Sequence, residues 1–211
     1  MKIDKKALLL YAVTDRGCLQ GISLEEAVEQ AILGGVGVVQ LREKNISEYE
    51  LLKEAEKLLK VCHKYSVPLI INDNYEIALK CGADGVHVGI EDAPVSEIRR
   101  IAGNDFIIGA TAKTVEQAKL AERSGADYLG VGAVFSSPTK KNAVRITPQQ
   151  LKEICSSVNI PAVAIGGITA ENVNELKGCG HSGIAVVSAV FGAADIKRAA
   201  DELRMAALDT I

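Results

Sequence analysis

Six short runs carry side chains or backbone suited to anions and hard cations. In Gln40-Leu41-Arg42-Glu43-Lys44, a period of two puts Gln40, Arg42 and Lys44 on one face and Leu41 on the other. Two cations on one face repel each other unless an anion joins them. The run is therefore an anion site, or a solvated strand end paired with Glu43 or Glu48. Asn72-Asp73-Asn74 and Gly89-Ile90-Glu91-Asp92 each offer a carboxylate. With no His or Cys clustered beside them, Asp73 and Asp92 suit Mg²⁺, which keeps waters and binds phosphate oxygens, unless they only cap helices. Ser136-Ser137-Pro138-Thr139-Lys140-Lys141 sets hydroxyls beside lysines, as a phosphate cradle does and as a solvated loop also does. Gly166-Gly167-Ile168 lets backbone approach a ligand closely. A short helix starting at Val187-Ser188-Ala189 could hold a phosphate on its N–H groups.

Runs so far apart in sequence meet only if the fold converges their ends. Short apolar runs at residues 8–13, 36–41, 68–71, 85–88, 107–110, 128–131, 162–165 and 184–187 alternate with amphipathic helical stretches such as 23–33, 47–64, 114–124 and 147–157. Ser23 and Ser47 stand three residues before Glu26 and Glu50, a helix-start signature, and Gly34 and Gly125 stand at helix ends. Continuously apolar strands separated by helices imply a parallel sheet covered on both faces. Eight such units predict a closed (β/α)8 TIM barrel, α/β in class, as one domain over residues 1–211. The alternative is an open doubly wound sheet, but no G-x-G-x-x-G follows the first strand. The turns Cys81-Gly82-Ala83-Asp84 and Ser124-Gly125-Ala126-Asp127 read as structural helix-to-strand connections. Ligands of such barrels bind at the C-terminal strand ends, with a recurrent phosphate site after strands seven and eight. If Val38 points into the barrel, Gln40, Arg42 and Lys44 rise on the same face to its mouth. Adjacent strands about 4.8 Å apart would let Asp73 and Asp92 face one cavity.

Composition narrows the function classes. Over 211 residues, 24 Lys+Arg against 27 Asp+Glu leave a net charge of −3. That argues against a nucleic-acid partner but permits a local positive cluster for small anionic substrates. No apolar run reaches the roughly 18 residues of a membrane span. The apolar stretch after Lys6 is short for a signal peptide, so a soluble cytoplasmic protein is expected. The five cysteines are scattered without a C-x-x-C pair, and most are expected to be reduced and buried. His63, His87 and His181 are dispersed, and neither a Cys–His nor a Ser–His–Asp arrangement suggests itself.

The chain resembles the thiamine phosphate synthase family over nearly its whole length. The resemblance runs through Tyr11-Ala12-Val13-Thr14-Asp15, Gln40-Leu41-Arg42-Glu43-Lys44, Ile71-Asn72-Asp73, Gly85-Val86-His87-Val88-Gly89-Ile90-Glu91-Asp92, Asp127-Tyr128-Leu129-Gly130-Val131-Gly132, Pro138-Thr139-Lys140 and Ala164-Ile165-Gly166-Gly167-Ile168. It implies a (β/α)8 enzyme that joins a hydroxymethylpyrimidine diphosphate to a thiazole ethyl phosphate and releases pyrophosphate. Carried over by motif, Gln40, Arg42, Lys44, Asn72 and Lys140 contact the pyrimidine diphosphate, and Asp73 and Asp92 hold Mg²⁺. Thr111 stands where the family commonly has Ser near the diphosphate. Ser137 and Thr139 lie in the loop meeting the thiazole side, and Gly167, Val187 and Ser188 bind the thiazole phosphate. Ser137 replaces a usual Thr, Asn74 stands where Arg is common, and Ile90 where Gln is common.

The implied chemistry is a dissociative substitution in which Arg42, Lys44 and Lys140 neutralise the departing diphosphate with Mg²⁺. It needs no general base. The nearest rival, a thiazole tautomerase of the same fold, resembles an enzyme with a His shortly after strand five, where this chain has Thr111-Ala112-Lys113. A catalytically silent phosphate-binding barrel and another phosphate-handling barrel enzyme are the wider alternatives. The sequence leaves open the oligomeric state, a homo-oligomer included, and whether the thiazole carries a carboxylate. Closure of a loop over residues 136–145 is a further expectation.

Overall fold

The computed structural model describes residues 3–136 and 145–211. Eight strands run β1 Leu10–Val13, β2 Val38–Leu41, β3 Leu69–Asn72, β4 Gly85–Val88, β5 Ile107–Ala112, β6 Tyr128–Gly132, β7 Ala162–Ile165 and β8 Gly183–Val186. Each pairs in parallel with its sequence neighbours, and β8 pairs with β1 to close the barrel. The expected (β/α)8 architecture is therefore the one observed, and the open sheet is not.

The helices are α1 Leu24–Leu33, α2 Glu48–Lys64, α3 Tyr75–Cys81, α4 Val95–Ala102, α5 Val115–Arg123, α6 Pro148–Ser156, α7 Ser188–Phe191 and α8 Ile196–Leu208. Their starts follow from side-chain chemistry. Ser47 and Glu50 exchange hydrogen bonds at the head of α2, as Thr147 and Gln150 do at α6, whose first residue is Pro148. Between β7 and β8 a 3-10 turn, Val173–Leu176, stands where other units carry a longer helix.

Strand alternation splits the core into two layers. Leu8, Tyr11, Val13, Val38, Ile70, Ile107, Tyr128, Val163 and Ala185 fill the lumen. Their neighbours, such as Leu10, Ala12, Val39 and Leu41, pack outward beneath the helices. Some boundaries differ from the sequence reading. Residues 8 and 9 lie in a 3-10 turn, where Leu9 N–H bonds the Lys6 carbonyl rather than a sheet partner. β5 extends to Ala112 because Thr111 and Ala112 pair with Gly130 and Val131.

The two Gly-Ala-Asp turns share one function. Asp84 Oδ2 accepts from Leu69 N–H at 2.8 Å, and Asp127 Oδ2 accepts from Ile108 N–H at 2.8 Å, so each carboxylate satisfies a donor in the first two residues of a neighbouring strand. Asp127 also pairs with Arg99 at 2.6 Å. Cys62 and Cys179 are buried, whereas Cys18, Cys81 and Cys155 are only partly so, and all five are free thiols. Among the described residues no helix is long and apolar enough to cross a membrane.

Candidate active site

The C-terminal strand ends converge on a cavity of about 400 Å³, lined from β2 and β3 by Gln40, Arg42 and Asn72 and from β7 and β8 by Gly167, Val187 and Ser188. In the ring order β3 lies across the barrel from β7, so Asn72 and Gly167 come from opposed strands, while the β2 and β8 residues approach from either side of β1. Val38 does point into the lumen, and the same face continues as Gln40 and Arg42. Lys44 departs from that pattern. It is exposed and does not line the cavity, because the chain has left β2 at Leu41 and turns at Asn45, where φ is 63°.

Arg42 is set by its backbone. Thr14, fully buried just beyond β1, accepts from Arg42 N–H at 3.0 Å. The carboxylate nearest in sequence, Glu43, pairs instead with Arg16 at 3.1 Å, and Glu54 joins that pair at 2.8 Å. The pairing with Glu43 that the solvated-end reading supposed therefore serves Arg16.

Asp73 and Asp92 do come together. Asp73 adopts φ 64° immediately after β3, and its N–H bonds the His87 carbonyl at 2.8 Å. Asp92 is steered back by Gly89 N–H, which donates to its Oδ2 at 2.6 Å. Although Asp73 is exposed as a residue, partial desolvation of its carboxyl and the adjacent Asp92 push it up to about 6, against weaker opposing pulls from Asn72 and Arg42. Like charges so close leave a deficit that a hard cation between them would remove, so the donor set fits Mg²⁺. Among the described residues no group of three or more His, Cys, Asp or Glu could form a larger metal cluster.

Asn74, one of the departures, has a local use: its side chain accepts from Ile77 N–H at 2.8 Å and caps α3. Ile90 is 51% exposed. Gly167 has φ 64°, and a Cβ there would strike the Ser136 carbonyl, so the bare backbone forms that wall. Ser188 opens α7, whose first N–H groups have no intrahelical partner and so can serve an anion. Ser137, Thr139 and Lys140, with most of the expected 136–145 lid, lie outside the described residues.

Sequence reading missed the cavity's floor. Gln40, 5% exposed, donates from Nε2 to Tyr11 Oη at 2.7 Å, and Tyr11 Oη lies 2.8 Å from Tyr128 Oη. His87 Nδ1 is 3.2 Å from Tyr128 Oη and its Nε2 is 3.1 Å from Thr111 Oγ1. Burial holds the imidazole down to about 4, hence neutral near pH 7, and pushes both tyrosines far up. Lys113 also lines the cavity, and continuing the period of two from Thr111 would have found it.

Residues 10–190 match the thiamine monophosphate synthase family, TMP-TENI. The chain is 50% identical to the thiamine-phosphate synthase of Clostridium tetani over 194 residues, covering 92% of this chain and 93% of that one. It is 51% identical to that of Ruminiclostridium cellulolyticum over 194 residues, 92% of each. A solved thiamine phosphate pyrophosphorylase from Pyrococcus furiosus superposes with a TM-score of 0.90 at 38% identity, covering 98% of both chains. A closed (β/α)8 barrel with matches of this length and identity belongs to the thiamine monophosphate synthase family.

Proposed function

We propose that the cavity joins a pyrimidinylmethyl diphosphate to a thiazole ethyl phosphate, releasing pyrophosphate and leaving thiamine phosphate. At the coarser level the chain is a thiamine-phosphate synthase, a transferase of thiamine biosynthesis. The observation that carries the finer reading is the presence of two separate anion-suited groups, one from β2 and β3 and one from β7 and β8, on one cavity, which matches two phosphorylated substrates meeting between them.

In this reading Arg42 and Asn72 hold the diphosphate, with Gln40 at the pyrimidine end. Gly167, Val187 and Ser188 offer backbone and hydroxyl donors to the thiazole phosphate. Asp73 and Asp92 would hold Mg²⁺, which when bound supplies positive charge to the leaving diphosphate. Arg42 does the same from a fixed position, at no reorganisation cost. Enclosing both partners replaces an encounter in solution with a held geometry, worth about 7–11 kcal/mol in favourable cases. His87 is neutral and bonded through both nitrogens, so it is not a free base, in keeping with a substitution that needs none. Motif similarity alone supports Ser137, Thr139 and Lys140 at the substrates. Lys44, outside the cavity lining, would act only from its rim.

The test is pyrophosphate release from the purified protein with each substrate alone and with both, in Mg²⁺ and in EDTA. Release that needs both substrates and Mg²⁺ is expected, and Lys140→Ala should lower turnover by about 10²–10³. No release from folded protein supplied with intact substrates overturns the reading.

A further inference from the structure

Five side chains from five different strands form one hydrogen-bonded chain across the barrel lumen: Gln40 of β2, Tyr11 of β1, Tyr128 of β6, His87 of β4 and Thr111 of β5. The Tyr11–Tyr128 contact joins residues 117 apart in sequence. Room for it is made by backbone. A Cβ on Gly109 would collide with the Tyr128 ring and His87 Nδ1, and one on Gly130 would come within 2.9 Å of the imidazole.

Hydrogen-bond accounting gives this chain a direction. Gln40 donates to Tyr11, so the Tyr11 oxygen is an acceptor there. Tyr11 has one hydrogen of its own and is 1% exposed, and its remaining partner among the described residues is the Tyr128 oxygen. If Tyr128 donated to Tyr11 instead, the Tyr11 hydrogen would be buried without an acceptor, a cost that folded proteins avoid. Tyr11 therefore donates to Tyr128, and Tyr128 spends its own hydrogen on His87 Nδ1. A neutral imidazole that accepts at Nδ1 carries its hydrogen on Nε2, and this reaches Thr111 Oγ1. Having accepted, the Thr111 hydroxyl keeps its hydrogen for another partner, and Thr111 lines the cavity.

We propose that this chain is polarised from Gln40 to Thr111 and makes the Thr111 hydroxyl an obligate hydrogen-bond donor to an anionic oxygen of the substrate. Tyr11, Tyr128 and His87 are then positioning residues that act through Thr111, and the amide orientation of Gln40 sets the donor state at the far end. Reversing the Gln40 amide would reverse every link and turn Thr111 into an acceptor, which an anion would reject.

The direction is read first on the unaltered protein by ¹⁵N-histidine NMR, with His87→Gln used to assign the signal. The expected spectrum shows His87 as a single Nε2–H tautomer whose Nδ1 is shifted by an accepted hydrogen bond. In Tyr128→Phe the Nδ1 signal moves toward that of an unbonded imine nitrogen. An Nδ1–H tautomer, or exchange between the two, overturns the proposal without any assay. The kinetic arm rests on the function proposed above. Thr111→Val should lower kcat roughly ten- to hundredfold, the size of losing one donor to a charged group. Tyr128→Phe should lower it several-fold alone and add nothing in the Thr111→Val background. Independent effects that multiply in the double variant overturn the coupling. Should Tyr128→Phe not fold, Tyr11→Phe cuts the same chain one link earlier and is read the same way. A wild-type protein that releases no pyrophosphate fails the functional reading while leaving the tautomer test intact.

Discussion

His87 and His181 share a proton affinity lowered by burial but differ in surroundings. His87 is bonded through both nitrogens. His181 is 2% exposed and bonds Thr210 at 3.0 Å through Nε2, while its Nδ1 has no partner among the described residues. Both are neutral in the folded protein, and both regain ordinary basicity, near 6.5, when it unfolds. Counting the histidines alone, the unfolded chain binds more protons than the folded one below pH 6.5, down to about 4 for His87, so their contribution to stability falls as pH falls. Asp73, pushed up to about 6, works in the opposite sense below that pH. For His87 alone the loss is on the order of 3 kcal/mol by the time pH drops below 4. From pH 7 to 4 the urea midpoint of His181→Leu should therefore lose less, relative to its own value at pH 7, than that of the wild type, and an equal change in both would assign no part of it to His181. A lone His between Val86 and Val88 gives no sign of whether its ring faces helices or lumen.

At the scale of elements, the Gly-Ala-Asp turns set a clear contrast. Asp127 anchors Ile108 N–H and the largely buried Arg99, whose guanidinium also reaches the Gly125, Gly103 and Phe106 carbonyls. Asp84 anchors Leu69 N–H and the exposed His63. Removing Asp127 leaves a sheltered cation short of its carboxylate as well as an orphaned amide, so Asp127→Ala should cost about 2–4 kcal/mol. Asp84→Ala orphans an amide but no buried charge, and about 1–2 kcal/mol is expected. Equal losses in chemical denaturation would contradict this account. Helix starts at this scale were legible because Ser23, Ser47 and Thr147 carry their cap chemistry within three residues. Strand ends were less so: Thr111 belongs to β5 only because Gly130 lies opposite it.

For the whole molecule, closure depends on the seam between β8 and the start of the chain. Gly183 lies so close to the Leu8 carbonyl and Leu9 Cα that a Cβ has no space, and both neighbours are backbone. A flexible side chain could yield, but this backbone leads directly into β1 and cannot shift without disturbing the β1–β8 pairing. Gly183→Ala should therefore cost about 1–3 kcal/mol or more, the range of overpacked cores. Gly178→Ala is the contrasting control: its φ of 76° strains a side chain, but among the described residues no atom lies within 4 Å, and it should leave the barrel closed. Loss of both stability and activity in Gly183→Ala, with activity retained in Gly178→Ala, is the expected pattern on thermal melts and pyrophosphate assays.

Local sequence determined what depends on near neighbours. Eight apolar runs alternating with amphipathic helices specify a parallel sheet covered on both sides, and eight units are enough to close it. The strand-end runs at Gln40, Asp73, Asp92, Gly167 and Ser188 were likewise legible, because a strand's polarity and the barrel's convergence send its C-terminal residues to one mouth. Tertiary structure alone decided which strand face turns to the lumen, since both faces of every strand are buried and the apolar pattern is the same on each. That choice brought Tyr11, Tyr128, His87 and Thr111 beneath Gln40 as one chain, though no two of them are neighbours in sequence. It also left Lys44 outside the cavity, because the two-residue period that aligned it with Arg42 holds only while the backbone remains a strand.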